Sequence, residues 1–429
     1  MNMKNNKKTL SQIISLLLVF ETISCVSNID CLKNHAINNP KKEYNSQKRV
    51  FPPEQYIEAI KKITISTYEE RFKNGEINNF IIPSLSSLNT LFMLYDGATG
   101  KTKEQIGSYL NLDDSMFDYV EESNKVIRSS LFNYSNSLYS DVSQGLFVDS
   151  SLRSTLNEEY IELLTNKYYA NIYHGNFDSS EISQLSSEYI ENVTNGYLSN
   201  AFDDDYPSGN SRMIATSFIK TNWDDSGINH FQKIDRSYPF LNFDGTITQN
   251  LVYVGMHFEA RYKQEEEYTL LGVPLYGSFS LNILLPNEHS DSLNIINKNV
   301  NALLSFNCDN SVSVEAHGYL PLFESIDSYY MNNVLSNAGI DDLLVDGEFG
   351  NIARSAIKLQ AIQCGAGITI NEFGINGIET KQAGKLNLLK SQLLTEEPIL
   401  EFKIDCPFIY SISTDRDGIP LLVGQVVKL

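Results

Sequence analysis

The sequence predicts an α+β domain, and three observations carry the prediction. Apolar residues recur with helical spacing through the first half of the chain, short β-rich runs dominate beyond residue 212, and no Pro/Gly/Ser linker interrupts the chain after Pro52. No internal repeat is present. With 429 residues and 42% apolar content, the chain is long enough to bury one large core.

Three segments follow from the N-terminus. Residues 1–24 read as a secretory signal: Lys4, Lys7 and Lys8 precede the apolar run IISLLLVF at 13–20, and Thr22 and Ser24 offer small residues before Cys25. The run is too short to span a bilayer. ETISC also resembles a bacterial lipidation site, with Thr22 where Leu is usual. Residues 25–50 are polar, Asn- and Lys-rich and without periodicity, which predicts a flexible leader. Residues 51–429 form the domain.

Within the domain, Tyr56, Ile57, Ile60 and Ile63 set a helix over 54–73 that ends near Gly75. Residues 85–95 read as a mostly buried helix stopping at Gly97, and 103–110 as a third helix. Amphipathic helices over 154–166 and 182–194 flank a strand-like NIYHGNF at 171–177. Strands follow at 213–220, 251–258, 269–276, 279–286, 311–320, 399–404 and 420–429, separated by turn signals such as FDGT and RDG.

Composition and motifs remove several functions. A net charge of −20 repels nucleic acid and anionic membranes, so neither is expected as a partner. GATGKT at 97–102 lacks the first glycine of a phosphate loop and follows a helix, so it is a helix-ending turn. DRDG at 415–418 lacks the remaining ligands of a calcium loop and reads as a hairpin turn. GxSxG, HExxH and GxGxxG are absent, and the six histidines are scattered, so no catalytic residue and no cofactor are expected. Cys31, Cys308, Cys364 and Cys406 are far apart and form no CxxC pair, so neither a metal site nor a disulfide scaffold is expected. Asn133 (NYS) and Asn192 (NVT) are glycosylation candidates.

Several motifs occur in order over residues 54–429. They are GATGKTKEQI at 97–106, YIENVTNGYL at 189–198, FIKTNW at 218–223, LGVPLYGSFSLNILLP at 271–286, LPLFESIDSYYMNNVLSNAGIDDLL at 320–344, INEFG at 370–374, CPFIYSI at 406–412 and LLVGQV at 421–426. Together they resemble the serpin family of serine protease inhibitors. Tyr189 stands where the family has Trp, and Trp223 is the only tryptophan in the chain. LPLFES suits a strand that enters a helix capped by Ser325, and Trp223 an anchored strand end.

The resemblance implies a serpin fold of eight or nine helices and three β-sheets with an exposed reactive-centre loop, here about 375–397. It implies a secreted, monomeric chain whose partner is an extracellular protease of the serine class, or secondarily the cysteine class. Such a protein works without catalytic groups: a protease cleaves the loop, and the freed segment inserts into the central sheet as a new strand. Glu372 and Gly374 match the proximal hinge, and counting from that Glu places the scissile bond at Leu388–Leu389, with Lys385 and Lys390 as alternatives. Glu372 and Pro407 are 34 residues apart exclusive of both, several more than is usual, and where the extra length falls decides the bond presented.

Two departures argue for the alternative, a non-inhibitory carrier, binding or decoy protein. After its Gly the family prefers Thr or Ser, an acidic residue and then small residues, whereas this chain has Ile375, Asn376, Gly377, Ile378, Glu379, Thr380 and Lys381. Ile375, Gly377, Glu379 and Lys381 occupy the inward register, and burying each ion costs several kcal/mol, about. The family also has a polar network beneath the sheet. Ser86 matches one member, but Ile82-Pro83 replaces its Ser-Pro, Ala215 its Asn and Cys364 its His.

Overall fold

The computed structural model of the protein describes residues 31–41, 51–73, 77–112, 114–134, 141–194, 196, 198, 213–220, 223–224, 231–275, 277–340, 342–345, 347–371, 374–375 and 400–429. The predicted helical stripe of Tyr56, Ile60 and Ile63 is the buried face of α1 (Glu54–Lys73), which packs on α2 (Ser84–Gly97). Nearly every residue of α2 is buried, so it is the central helix of the core and not an amphipathic surface helix. α3 (Gly100–Leu110) starts after an extended Thr99 and follows the turn predicted at Gly97.

α4 (Asp114–Tyr134) leads into β2 (Asp141–Asp149), and α5 (Glu158–Asn166) and α6 (Glu181–Thr194) flank β3 (Asn171–Gly175). α7 (Ser292–Lys298), α8 (Val300–Leu304), α9 (Asn332–Asn337) and α10 (Asp342–Val345) are short. Ten α-helices beyond residue 50 thus occur among the described residues, with residues 31–35 helical as well, against eight or nine expected, and α8, α9 and α10 are no longer than six residues each.

The strands form two sheets. In the first, β3 lies parallel to β2, and β2 antiparallel to β4 (Met213–Lys220). β4 lies parallel to β12 (Leu359–Asn371), whose far edge carries β11 (Phe323–Tyr330). α6 lies against β2, β3 and β4, and Tyr189 fastens it by donating its hydroxyl to the Gln144 carbonyl at 2.9 Å. Gly145 must stay small beneath it, because a Cβ there would come within 2.9 Å of the Tyr189 ring and 2.5 Å of Thr216 Oγ1.

The second sheet runs β1 (Phe80–Ile82), β16 (Pro420–Val426), β15 (Phe408–Thr414), β9 (Phe279–Pro286), β8 (Tyr268–Leu275), β7 (Ile247–Gln264), β10 (Val312–Pro321) and β14 (Leu400–Lys403), with β6 (Phe231–Leu241) on β7. β7 is 18 residues long and pairs β6 and β10 over most of its length and β8 at its end. It therefore joins two of the three expected sheets into one continuous ladder. β15 and β16 form the predicted hairpin, buried along almost its whole length, and the turn between them uses Gly418 at φ 65°.

Two expectations need correction. Ser325 does not cap a helix; it sits inside β11, where Phe323, Ser325 and Tyr329 turn inward, and helix α9 begins only at Asn332. Alternation at period two outweighs the capping signal of a single Ser. Within the predicted flexible leader, residues 31–41 are docked on the edge of β3. Ala36 bridges Tyr173, the Ile37 amide donates to the Ile172 carbonyl at 2.8 Å, and Leu32 is buried among Phe147, Tyr173, Ile182 and Tyr189.

Asn38 completes this attachment. Its Nδ2 donates to Thr165 Oγ1 and the Ala170 carbonyl at 2.8 Å each, and its Oδ1 accepts from the Ile172 amide at 2.7 Å. Asn38→Ala removes all three bonds, and we expect a loss of about 1–3 kcal/mol in urea unfolding with faster exchange of the Ile172 amide. An unchanged Ile172 exchange rate would contradict the docked segment.

Candidate functional site

The site is the seam between β4 and β12. β12 has one edge for β11, and along its other edge the partners change. From Leu359↔Met213 to Gly367↔Lys220 it pairs directly with β4. Above that, the chain turns back as β13 (Gly374–Ile375), which pairs with Asn371 and Ile370 on one side and with β5 (Trp223–Asp224) on the other. Residues 374–375 are therefore already a strand wedged between β12 and β5, and the sheet is closed below them. Gly374 has φ 117°, a conformation that side chains rarely allow, so the turn requires glycine. Ile375 is fully buried in the main core, so its side chain takes the inward register assigned from the sequence.

Beneath the seam lies a layer of small polar side chains on α2. Ser87 donates to Cys364 Sγ at 3.6 Å, and the Tyr329 hydroxyl is buried next to both, which pushes its ionisation far above the usual range. Thr90 donates to the Ser86 carbonyl at 3.0 Å and reaches the Thr216 carbonyl at 3.5 Å. Ser86, the residue singled out from the sequence, donates to the Pro83 carbonyl of its own helix start at 3.3 Å. Ser84 Oγ is buried with no hydrogen-bond partner among the described residues, and Ala215 is fully buried between Ile362 and Leu146. The residues linking helix to sheet, Ser87 and Thr90, were not singled out. They lie one and four positions beyond Ser86, and on a helix buried all round no polar stripe marks them out.

One ion pair fastens the outer strand of this sheet. Arg71 at the end of α1 meets Asp327 of β11 at 2.6 Å. Burial pushes the Asp327 carboxyl up to about 6, although Arg71 and the Ser328 and Ile81 amides all pull it down.

Of the remaining predicted residues, Trp223 is placed by its backbone opposite Ile375. Asn192 is exposed on α6, and Asn133 falls within α4. Glu372, Asn376, Gly377, Ile378, Glu379, Thr380, Lys381, Lys385, Leu388, Leu389 and Lys390 lie outside the described residues, as does the predicted signal. Among the described residues no helix is long and apolar enough to cross a membrane.

Residues 58–429 match the family model described as Serpin (serine protease inhibitor). The chain is 24% identical to an uncharacterized serpin-like protein of Thermococcus kodakarensis over 388 residues, covering 87% of this chain and 85% of that one. Among solved structures it is similar to Serpin48, a highly specific serpin of the insect Tenebrio molitor, with a TM-score of 0.71 at 20% identity over 89% of this chain and 100% of the other. It is also similar to human thyroxine-binding globulin complexed with thyroxine, with a TM-score of 0.70 at 17% identity over 87% and 99% of the two chains. At these identities the structural likenesses establish the fold.

Two outcomes follow from the site's geometry. Ile375→Ala removes the buried anchor of the wedge and is expected to cost about 2–4 kcal/mol and to speed amide exchange where β12 meets β13. Unaltered exchange there would show that the wedge is not held by this side chain. The second outcome concerns pH. Because the folded-state value of Asp327 is raised from the ordinary 3.8 to about 6, the folded chain binds the extra proton between those values. The group's contribution is then fully present below about pH 4 and lost as pH rises through 6, by about 3 kcal/mol. In urea titrations from pH 4 to pH 7, Asp327→Asn should lack that component of the decline; parallel profiles for the two proteins would refute it.

Proposed function

The chain belongs to the serpin family, and on that premise we propose that it is a secreted inhibitor of a serine protease that uses the segment after Gly374 as bait. The observation that carries this reading is the wedge of β13: the hinge is already seated as the first two residues of a strand in the gap that an inserting loop must enter. The protease serine attacks the carbonyl of Leu388, the bond to Leu389 breaks, and the new amino terminus of Leu389 takes a proton and leaves. The acyl-linked segment from 376 onward then extends β13 between β4 and β12 and carries the protease with it. An apolar residue at the cleaved bond suits a chymotrypsin-, elastase- or subtilisin-like pocket. Secretion follows from the signal at residues 1–24, and glycans at Asn133 and Asn192 belong to the same reading.

The observed register says what insertion must bury. Ile370 faces Ile375, so continuing the antiparallel ladder places Gly377 opposite Ile368, Glu379 opposite Ala366 and Lys381 opposite Cys364. Directly opposed residues share a face of the sheet, and Ile368, Ala366 and Cys364 are all buried. Two ions would enter the core face about 7 Å apart, too far for a close pair. That observation favours a second reading, a serpin that binds or carries a ligand, or serves as a decoy substrate, without trapping proteases. The globulin that binds thyroxine shares the fold.

Incubation with a panel of serine and cysteine proteases separates the two. The first reading expects a denaturation-resistant adduct at the summed mass, a released peptide beginning at Leu389 and a large rise in melting temperature after cleavage. The double variant Glu379→Ala/Lys381→Ala should raise the ratio of adduct to simple cleavage tenfold or more, since about 1.4 kcal/mol suffices for that factor. Cleavage with neither adduct nor a rise in melting temperature would exclude the inhibitor.

A further inference from the structure

Just beyond β14, three side chains with metal-ligating atoms converge from two separate segments. His289 Nε2 lies 3.4 Å from Asp405 Oδ1, and Cys406 Sγ lies within 4.8 Å of a ring nitrogen of His289 and a carboxylate oxygen of Asp405. The convergence is a product of sheet register. β15 and β9 pair antiparallel with Ile409 opposite Leu284, so the chain just before β15 and the chain just after β9 run on side by side.

Both segments are pinned. The Leu241 amide donates to the Asp405 carbonyl at 2.8 Å and the Ile404 amide to the Tyr319 carbonyl at 3.0 Å. Across from them, Asn287 is tied to Glu265, Glu267 and Thr269. We propose that His289, Asp405 and Cys406 bind a single zinc-class divalent cation, with a solvent molecule completing four-fold coordination.

The donor set and spacing suit this ion. Imidazole, carboxylate and thiolate together select zinc over magnesium or calcium, which prefer oxygen alone. Bonds of about 2.0–2.2 Å in a tetrahedron place neighbouring ligand atoms about 3.3–3.6 Å apart, which matches the His289–Asp405 separation. Lys403 Nζ holds the other carboxylate oxygen of Asp405 at 2.7 Å and so leaves Oδ1 turned toward His289. The Cys406 thiol is buried, with the Pro407 carbonyl 3.8 Å away, and it forms no disulfide among the described residues. His289 is the exposed member of the set: its side chain is about half exposed and lines a surface cavity of about 380 Å³ with Phe72, Phe243 and Asn294, a wall that Asp405 and Cys406 do not share.

Spacing along the sequence gives no hint of this site, because a ligand before α7 and a pair before β15 make no short motif. The test uses the full chain, Zn²⁺ calorimetry and Co²⁺ absorption. Wild-type protein is expected to bind one Zn²⁺ per chain and to show a thiolate-to-cobalt charge-transfer band. His289→Gln and Cys406→Ser should each weaken zinc at least 100-fold, Cys406→Ser should abolish the band, and Cys308→Ser should change neither. If Cys406→Ser misfolds, His289→Gln decides alone, since that side chain lies outside the core. Zinc affinity unaffected by His289→Gln, a band lost in Cys308→Ser instead, or equal binding of Mg²⁺ would each overturn the assignment and leave an ordinary His–Asp ion pair beside a core thiol.

Discussion

The parallel ladder between β4 and β12 is the interaction on which the rest of the structure turns. β12 offers two edges, one permanently taken by β11 and the other divided between β4 and β13. A strand growing downward from β13 can advance only by displacing β4 pair by pair. The seam is suited to that exchange. Parallel pairing is somewhat weaker per residue than antiparallel pairing, and Gly365 and Gly367 bring no side chain to the seam. By contrast, β4 is joined to β2 by an antiparallel ladder with α6 lying across both. The sheet has a strong side and a weak side, and β13 lies on the weak one.

Whether insertion runs to completion is a contest between backbone and side chains. Each residue added to a strand between two neighbours gains hydrogen bonds worth about 0.5–1.5 kcal/mol apiece, and a strand of a dozen residues collects a gain on the order of 10 kcal/mol. Against it stand two buried ions at several kcal/mol each, roughly the same total. The layer under the seam modifies the second figure. Lys381 would arrive opposite Cys364, where Ser87 supplies a hydroxyl, so the ammonium would meet polar atoms there and not a purely apolar wall. Glu379 would arrive beside Ala366 and Ile368, both buried and apolar, and carries the larger share of the cost. The balance thus rests on one carboxylate more than on the hinge as a whole.

Ile375 was legible in the sequence because a strand alternates its faces, and its side chain is buried as that alternation expects, whereas Glu379 and Lys381 lie outside the described residues. The fold was legible for a similar reason: Tyr56, Ile60 and Ile63 carry helical period, and runs such as 213–220 and 279–286 coincide with strands as found. What escaped were features made by tertiary proximity. Leu32 and Asn38 sit in a polar stretch with no period, and only the exposed edge of β3 gives them something to bind. Ser325 carried a capping signal that a strand overrode. Ser87 was passed over for its neighbour Ser86, because a helix buried on all sides gives no polarity stripe to choose between them. The His289, Asp405 and Cys406 cluster exists only through the pairing of β9 with β15.

The strands that flank residues 376–399 are held unequally, and on the inhibitor reading that asymmetry is what would make cleavage the switch. The proximal end is held by two residue pairs on each side of β13. The distal end returns through β14, where four consecutive pairs with β10 run from Ala316↔Leu400 to Tyr319↔Lys403. Phe402 also fills the space above Gly318, where a Cβ would collide with its ring. Beyond β14, Asp405 is fastened to Lys403, His289 and the Leu241 amide. On the inhibitor reading, growth of β13 into the seam would be opposed by this anchor, which sits on a different sheet, for as long as the chain between the two ends is uncut. On the same reading, breaking one peptide bond would remove that opposition, and the proximal strand would then be limited by the side chains it must bury.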